Sequence, residues 1–105
     1  QSWAENRLMT VIYKQALAEQ DLVNIWLYSW KEWGQVQADA YLDELEQTLQ
    51  LLAVQPYLGR ERTEFNPVVR IHYHAQHLLV YQPLVNGIRL IRVLHKSMDI
   101  DAQLG

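Results

Sequence analysis

The spacing of apolar residues divides the chain into a short strand, a helical half and a strand-rich half. The segment from Leu8 to Tyr13 is apolar, β-branched and aromatic, which predicts a strand. From about Leu17 the apolar residues recur at helical spacing as far as Gly34, which ends that element. A second helix is predicted from about Gln35 to Val54, so that the two helices form an antiparallel hairpin.

Beyond Pro56, which stops the second helix, a loop leads to a region where the apolar period becomes two. This period is typical of half-buried strands, and it predicts strands at 68–73, at 77–83 and at 88–94. Asn86-Gly87 predicts a type I′ turn between the last two strands, because both residues accept a positive φ.

The residues from Ser97 to Leu104 form a polar tail. We expect Met98, Ile100 and Leu104 to anchor it, and Asp99 to cap a short helix that starts near Ile100.

The order β-α-α-β-β-β predicts an α+β fold. It has an N-terminal strand, then an antiparallel helical hairpin packed on one face of an antiparallel sheet, closed by a three-stranded meander and followed by the short tail. A length of 105 residues corresponds to one domain. We expect residues 9–105 to form that domain and residues 1–8 to be an extension, either left from expression or lying ahead of an alternative start at Met9.

Composition and charge narrow the classes of function. The chain has no cysteine, which excludes disulfides and thiolate chemistry and fits a reducing cytosol. No apolar run approaches the ~20 residues of a membrane span, so we expect no membrane partner. Residues 1–58 carry three basic and eight acidic side chains, whereas residues 59–105 carry six basic and four acidic ones. The first half would therefore repel nucleic acid, and we expect no direct nucleic-acid specificity.

Several short motifs occur in a characteristic order along the chain. In chain order they are Ala18-x-x-Asp21-Leu22-x-x-Ile25-x-x-Tyr28, Trp33-Gly34, Gln37-Ala38-x-x-Tyr41, Leu45, Leu52-Ala53-x-x-Pro56-x-x-Gly59-Arg60, Arg70, His77, Tyr81 and Ile91-Arg92-Val93-Leu94-His95-Lys96-Ser97-Met98-Asp99. With these residues the chain resembles the ParE toxins of bacterial toxin–antitoxin modules, within the wider RelE/ParE fold. The resemblance runs from about Met9 to Asp101.

This resemblance implies a cytoplasmic toxin that poisons DNA gyrase and is neutralised by a ParD-like antitoxin in a hetero-oligomer. It implies binding rather than bond chemistry, without a catalytic residue, cofactor or metal. Cationic side chains suit an acidic amphipathic antitoxin segment, and the tail with Arg92 and Lys96 is expected to face gyrase. The expected partner-binding residues are Arg60, Arg70, Arg89, Arg92, His95 and Lys96.

A second hypothesis is a ribosome-dependent mRNA endonuclease of the RelE type. Cleavage by 2′-OH attack needs a base, a cation at the phosphate and an acid, for which Glu64, Arg70 and His95 are the candidates. The aromatic or basic cluster expected around the C-terminal histidine is absent, and Lys96-Ser97-Met98 follows instead. A third hypothesis is an interaction module that has lost toxicity.

Two further groups have structural interpretations that we prefer to functional ones. The segment His72-x-His74-x-x-His77 has the residue type of a zinc site, but it contains no carboxylate or cysteine, and we expect ordinary strand and turn histidines. We expect Trp26 and Trp33 to fill the core between helices and sheet, with Trp30 nearer the boundary.

Overall fold

The computed structural model describes residues 10–105. The predictions for residues 1–8, and for a first strand beginning at Leu8, lie outside the described residues. Among residues 10–105, no helix is both long and apolar enough to cross a membrane.

The described chain contains two long helices, one short helix and five strands. The strands are β1 (Val11–Lys14), β2 (Arg60–Arg62), β3 (Val69–His74), β4 (His77–Leu84) and β5 (Gly87–His95). The helices are α1 (Ala16–Trp33), α2 (Gln35–Val54) and α3 (Ile100–Leu104), with a 3₁₀ turn at Pro56–Leu58. The predicted α+β order and the helical hairpin are confirmed, and Gly34 separates the two helices with a φ of 91°.

The strands form one open sheet in the order β1-β5-β4-β3-β2. All neighbouring pairs are antiparallel except β1 and β5, which run parallel from Val11 beside Gly87 to Lys14 beside Leu90. The sheet is therefore mixed, whereas the sequence predicted an antiparallel one. The alternation of side chains shows which face a residue occupies but carries no information about strand direction.

The three-residue strand β2 was missing from the prediction, which placed a loop there. Its sequence, Arg60-Glu61-Arg62, contains no apolar residue and so has no alternation to detect. Pairing with β3, where Glu61 lies opposite Arg70, makes it a strand at the edge of the sheet. A short charged edge strand is a common protection against pairing with other chains.

The turn between β4 and β5 differs from the predicted type I′ geometry. Leu84 pairs with Gly87, so the loop residues are Val85 and Asn86, and Asn86 does not have a positive φ. A side chain at Gly87 would collide with the backbone of Val11 in β1. The glycine is therefore required by the close approach of the parallel strand rather than by the turn.

Each face of the sheet has its own apolar core. The helical hairpin covers one face, where Leu45, Leu49 and Leu52 pack on Leu79 and Leu90. The opposite face is built from the buried side chains of Val69, Ile71, Leu78, Val80 and Leu94, with Phe65, Ile91, Ile100 and Leu104 packed against them.

The short helix α3 therefore closes the second core, as the tail prediction required. The carboxylate of Asp99 caps α3 by accepting hydrogen bonds from the N–H groups of Asp101 and Ala102, at 3.1 and 3.4 Å. Met98 is not a buried anchor, because its side chain is 44% exposed. It precedes the cap and so stays outside the apolar contacts of the helix.

The tryptophan prediction was wrong for Trp33, which is 71% exposed at the tip of the hairpin. Trp26 is half-buried between the helices, and its Nε1–H donates to Asp39 Oδ1 at 2.8 Å. An indole needs a partner for its N–H, which the apolar space above the sheet does not offer. Smaller side chains such as Ala18 and Leu45 fill that space instead.

Candidate partner-binding surfaces

The ion pair between Arg92 and Asp21 joins β5 to α1. Arg92 Nε and Nη2 lie 2.8 and 3.0 Å from the two carboxylate oxygens of Asp21, which also accepts the Val93 N–H at 2.9 Å. This hydrogen bonding raises the pKa of Arg92 above its usual value. Both side chains are more than four-fifths buried, so the bidentate ion pair holds the hairpin on the sheet.

The first surface feature is a shallow depression of about 390 Å³ over the end of the sheet, which we call the cationic groove. Its polar lining consists of Tyr57, Glu61, Arg70, Gln82 and Arg89. Arg89 donates to Gln82 Oε1 at 3.3 Å, and its guanidinium lies 6.0 Å from the centre of the Tyr13 ring, with no carboxylate partner within residues 10–105. The groove can therefore accept a carboxylate, although Glu61 offsets part of its charge.

Arg70 is largely occupied within the chain. Its Nη1 donates to the carbonyl of Gly59 at 2.7 Å, and its guanidinium lies 4.8 Å from the centre of the Tyr57 ring. Glu61, directly across the strand pair, lies 3.8 Å from its Nη2. Arg70 thus fixes the loop before β2 and contributes a partly neutralised charge to the groove.

The same loop is held from the other side by Tyr81, whose hydroxyl donates to the Pro56 carbonyl at 2.6 Å and accepts the Gly59 N–H at 2.8 Å. A side chain at Gly59 would meet the Tyr81 ring. Burial raises the pKa of Tyr81, so the phenol stays protonated and continues to donate. The glycine of the Pro-x-x-Gly-Arg motif is therefore explained by packing.

The second surface feature is a larger depression of about 680 Å³ between the hairpin and the opposite end of the sheet, which we call the apolar groove. Its lining includes Tyr28, Trp33, Tyr41, His77, His95 and Met98. Three aromatic rings and a flexible thioether give it the composition of a site that binds apolar side chains.

A cluster of three rings lines the apolar groove, with Tyr41 on α2 and His77 and His95 on the sheet. Tyr41 Oη lies 2.6 Å from His77 Nδ1, and the rings of His77 and His95, which face each other across β4 and β5, are 5.4 Å apart. His95 Nδ1 accepts the Ser97 N–H at 3.1 Å, which places the proton of the neutral ring on Nε2. Burial, with smaller contributions from His95 and His74, lowers the pKa of His77 to about 4, so this ring is neutral at pH 7.

The histidine segment does not assemble a metal site within the part of the chain that the structure describes. No group of three or more histidine, cysteine, aspartate or glutamate side chains there has a metal-binding arrangement. His74 instead contacts Thr48 Oγ1 at 3.2 Å and Glu44 Oε1 at 3.3 Å.

The six expected partner-binding residues divide between the two ends of the sheet. Arg70 and Arg89 line the cationic groove, whereas the exposed Arg60, which precedes the lining residue Glu61 on β2, does not line it. His95 lines the apolar groove and Lys96 follows it, exposed. The structure therefore places Arg70 and Arg89 at one groove and His95 with Lys96 at the other. The buried ion pair with Asp21 occupies Arg92.

The alternative catalytic set is not brought together. Arg70 lies opposite Tyr81 and His95 lies opposite His77, so that four residues of β4, about 13 Å, separate their positions along the sheet. Glu64 forms an ion pair with Arg62 at 2.7 Å. Hydrogen bonding to its own backbone N–H and to Arg62 lowers the pKa of Glu64. The carboxylate beside Arg70 is Glu61, which the sequence did not single out.

Several groove residues were not predicted as binding residues, among them Tyr28, Trp33, Tyr41 and Met98. The sequence could have indicated one of them, because Tyr28 lies off the buried stripe of α1 and would face outward on a regular helix. Their convergence could not be read from the sequence, since they come from both helices and from the segment after β5.

Comparison with known proteins gives one consistent result. The family model described as "ParE toxin of type II toxin-antitoxin system, parDE" matches residues 12–100. Toxin ParE1 of Caulobacter vibrioides is 36% identical over 88 residues, which cover 84% of this chain and 91% of that protein. Toxin ParE of Escherichia coli is 31% identical over 97 residues, covering 91% of this chain and 94% of that protein.

A solved structure shows the same fold. The chain from the "Chromosomal ParDE TA system from P. aeruginosa" superposes with a TM-score of 0.70 at 17% identity, covering 83% of this chain and 96% of that chain. The fold likeness agrees with the sequence matches, which extend over most of the length of both proteins. The chain belongs to the ParE toxin family of type II toxin–antitoxin systems.

Proposed function

We propose that this protein inhibits DNA gyrase by binding to it, without bond chemistry of its own, and that a ParD-like antitoxin neutralises it in the cytoplasm. The observation that supports this proposal is the match of the family model over residues 12–100, together with relatives named as ParE toxins. The arrangement of side chains favours binding, because its two surface features are open grooves and the candidate endonuclease residues lie apart.

The antitoxin is proposed to be an acidic amphipathic segment that becomes ordered on the toxin. The apolar groove offers aromatic side chains to the apolar face of such a segment, and Lys96 offers a cation at its border. Arg89 and Arg60 offer the corresponding positive charges at the other end of the sheet. Arg92 has a lesser part in this scheme, because Asp21 already neutralises it.

Co-purification tests the antitoxin partner. A ParD-like antitoxin encoded beside the toxin is expected to co-purify with it at moderate salt. In that complex, Trp33→Gln is expected to weaken binding, because the indole forms part of the apolar groove. A matched substitution at another exposed apolar residue, Val54→Gln, is expected to leave the affinity unchanged.

A cleavage assay tests the target. Purified toxin, bacterial DNA gyrase, supercoiled plasmid and ATP are expected to yield linear DNA that disappears when the antitoxin is added first.

Codon-specific cuts in ribosome-bound mRNA after induction, with no effect on gyrase, would instead establish the endonuclease. In that case Arg70→Ala and His95→Gln should each lower cleavage by about 10²–10⁴-fold. A toxin that binds its antitoxin but acts on neither target would be the non-toxic interaction module.

A further inference from the structure

The helical hairpin has an exposed apolar stripe that belongs to neither groove. Val23, Leu27 and Trp30 follow the spacing i, i+4, i+7 on α1 and are 51%, 45% and 47% exposed. We call these three residues the outer stripe. The buried residue of the same helix, Ala18, lies on its other side, so the outer stripe makes no contribution to either core.

A further exposed apolar residue lies near the tip of the hairpin. Val36, at the start of α2, is 85% exposed, and the contact between Trp26 and Asp39 shows that the two helices run side by side there. A contiguous apolar stripe on a surface helix marks an interaction site more often than scattered apolar residues do.

The charge around the outer stripe identifies the kind of partner. Residues 16–54 carry seven carboxylates and one cation, Lys31. Three of these carboxylates lie near the outer stripe: Glu19, one turn before Val23, and Asp39 and Asp43, which share the side of α2 that contacts Trp26. Lys31, one turn after Leu27, is the one cation of the hairpin beside them. Nucleic acid and a second copy of the hairpin would both be repelled by this surface. A protein surface with an apolar centre and a lysine or arginine rim would complement it.

We propose that the outer stripe with its acidic border is the surface through which this toxin docks on a basic surface of gyrase. The inference rests on the proposed function and adds to it the surface that contacts the target. It also assigns the antitoxin and gyrase to different sides of α1. Tyr28 faces the apolar groove, where the antitoxin is proposed to bind, while Leu27 and Trp30 face solvent on another side of the helix.

The experiment compares gyrase inhibition by variants matched for exposure and chemistry. The double variant Leu27→Gln/Trp30→Gln is expected to need at least about tenfold more toxin for half-maximal inhibition, which corresponds to about 1.4 kcal/mol of binding free energy. Leu51→Gln, which removes a leucine of nearly equal exposure (44%) from the outer side of α2, is expected to change that concentration by less than about twofold.

A charge variant tests the partner's chemistry independently of any effect on folding. Asp43→Lys is expected to weaken inhibition, and added salt should weaken inhibition by the unaltered toxin as well. Circular dichroism and the melting temperature of each variant separate loss of contact from loss of folding, since all the altered side chains are exposed.

The alternatives give different results in the same assay. If the outer-stripe variants and Asp43→Lys inhibit as the unaltered toxin does, while Lys96→Glu loses inhibition, the contact lies on the tail and this inference is overturned. If the outer-stripe variants lose inhibition but Asp43→Lys and salt have no effect, the partner surface is not basic and the proposed chemistry is wrong. If the unaltered toxin itself fails to inhibit gyrase, the proposed function is wrong, and gyrase is not the partner of the outer stripe.

Discussion

Replacing Tyr81 by phenylalanine removes a single oxygen atom that holds the loop before β2. That hydroxyl accepts the N–H of Gly59 and donates to the carbonyl of Pro56. Tyr81 is completely buried and Gly59 is buried, so the lost bond to the Gly59 N–H cannot be replaced by water. An unsatisfied buried group costs about 1–3 kcal/mol, and the partly exposed Pro56 adds a smaller loss. We expect Tyr81→Phe to lower the free energy of unfolding by about 2–3 kcal/mol.

Thermal and urea unfolding followed by circular dichroism measure this change. For a domain of this size the expected loss corresponds to a decrease in melting temperature of about 10–20 °C. Tyr73→Phe is the matched control, since Tyr73 lies on the neighbouring strand and is 61% exposed. It should change the free energy of unfolding by less than about 0.5 kcal/mol. Equal stability of the two variants would refute the argument that the buried hydroxyl holds the loop.

Three other substitutions test the remaining contacts. Asp21→Ala leaves Arg92 without its partner and should lower the free energy of unfolding, measured by urea titration, by about 3 kcal/mol. The control Asp43→Ala removes an exposed carboxylate and should change the free energy of unfolding little. Similar effects of the two substitutions would contradict the structural role of the ion pair. The pKa of His77 is about 4 in the folded chain and 6.5 in the unfolded one, so the unfolded state binds more protons between these values and stability should fall as pH decreases from 6.5 to 4. After discounting for partial exposure the loss is about 1–2 kcal/mol, and it should disappear in His77→Phe; an unchanged pH profile in that variant would assign the effect to other groups. Gly59→Ala should lower the melting temperature, because its methyl group would meet the buried tyrosine ring, and an unchanged value would show that the ring can move aside.

Helices and strands could be predicted from the sequence wherever apolar residues recur with a helical or a strand period. The helix from Gln35 to Val54 and the alternation from Val69 to Tyr73 both have a clear period, and both elements are present. The charged strand Arg60–Arg62 has no period, and it forms only because β3 offers an edge to pair with. Strand direction was equally inaccessible, since the parallel position of β1 depends on how the hairpin returns over the sheet.

The candidate site was less predictable, because it depends on residues that are distant in sequence. The sequence identified His95 but not its pairing with His77, or the hydroxyl of Tyr41 that completes the cluster. It identified Arg70 as a cation for a partner or for catalysis, whereas the structure gives it a carbonyl partner at Gly59. A cation next to a carbonyl or a carboxylate has a structural role that no local pattern reveals.

The residues that carry the family resemblance are mostly those that hold the fold together. Pro56, Gly59 and Tyr81 form one hydrogen-bonded unit, and Asp21 with Arg92 forms another. Because these contacts are internal, a loss of toxicity after substituting any of them reports on folding and gives no information about contact with a partner. The exposed side chains of the apolar groove and of the outer stripe are free of that ambiguity. Experiments on binding should therefore begin with exposed residues of these two surfaces, such as Trp33 and Leu27.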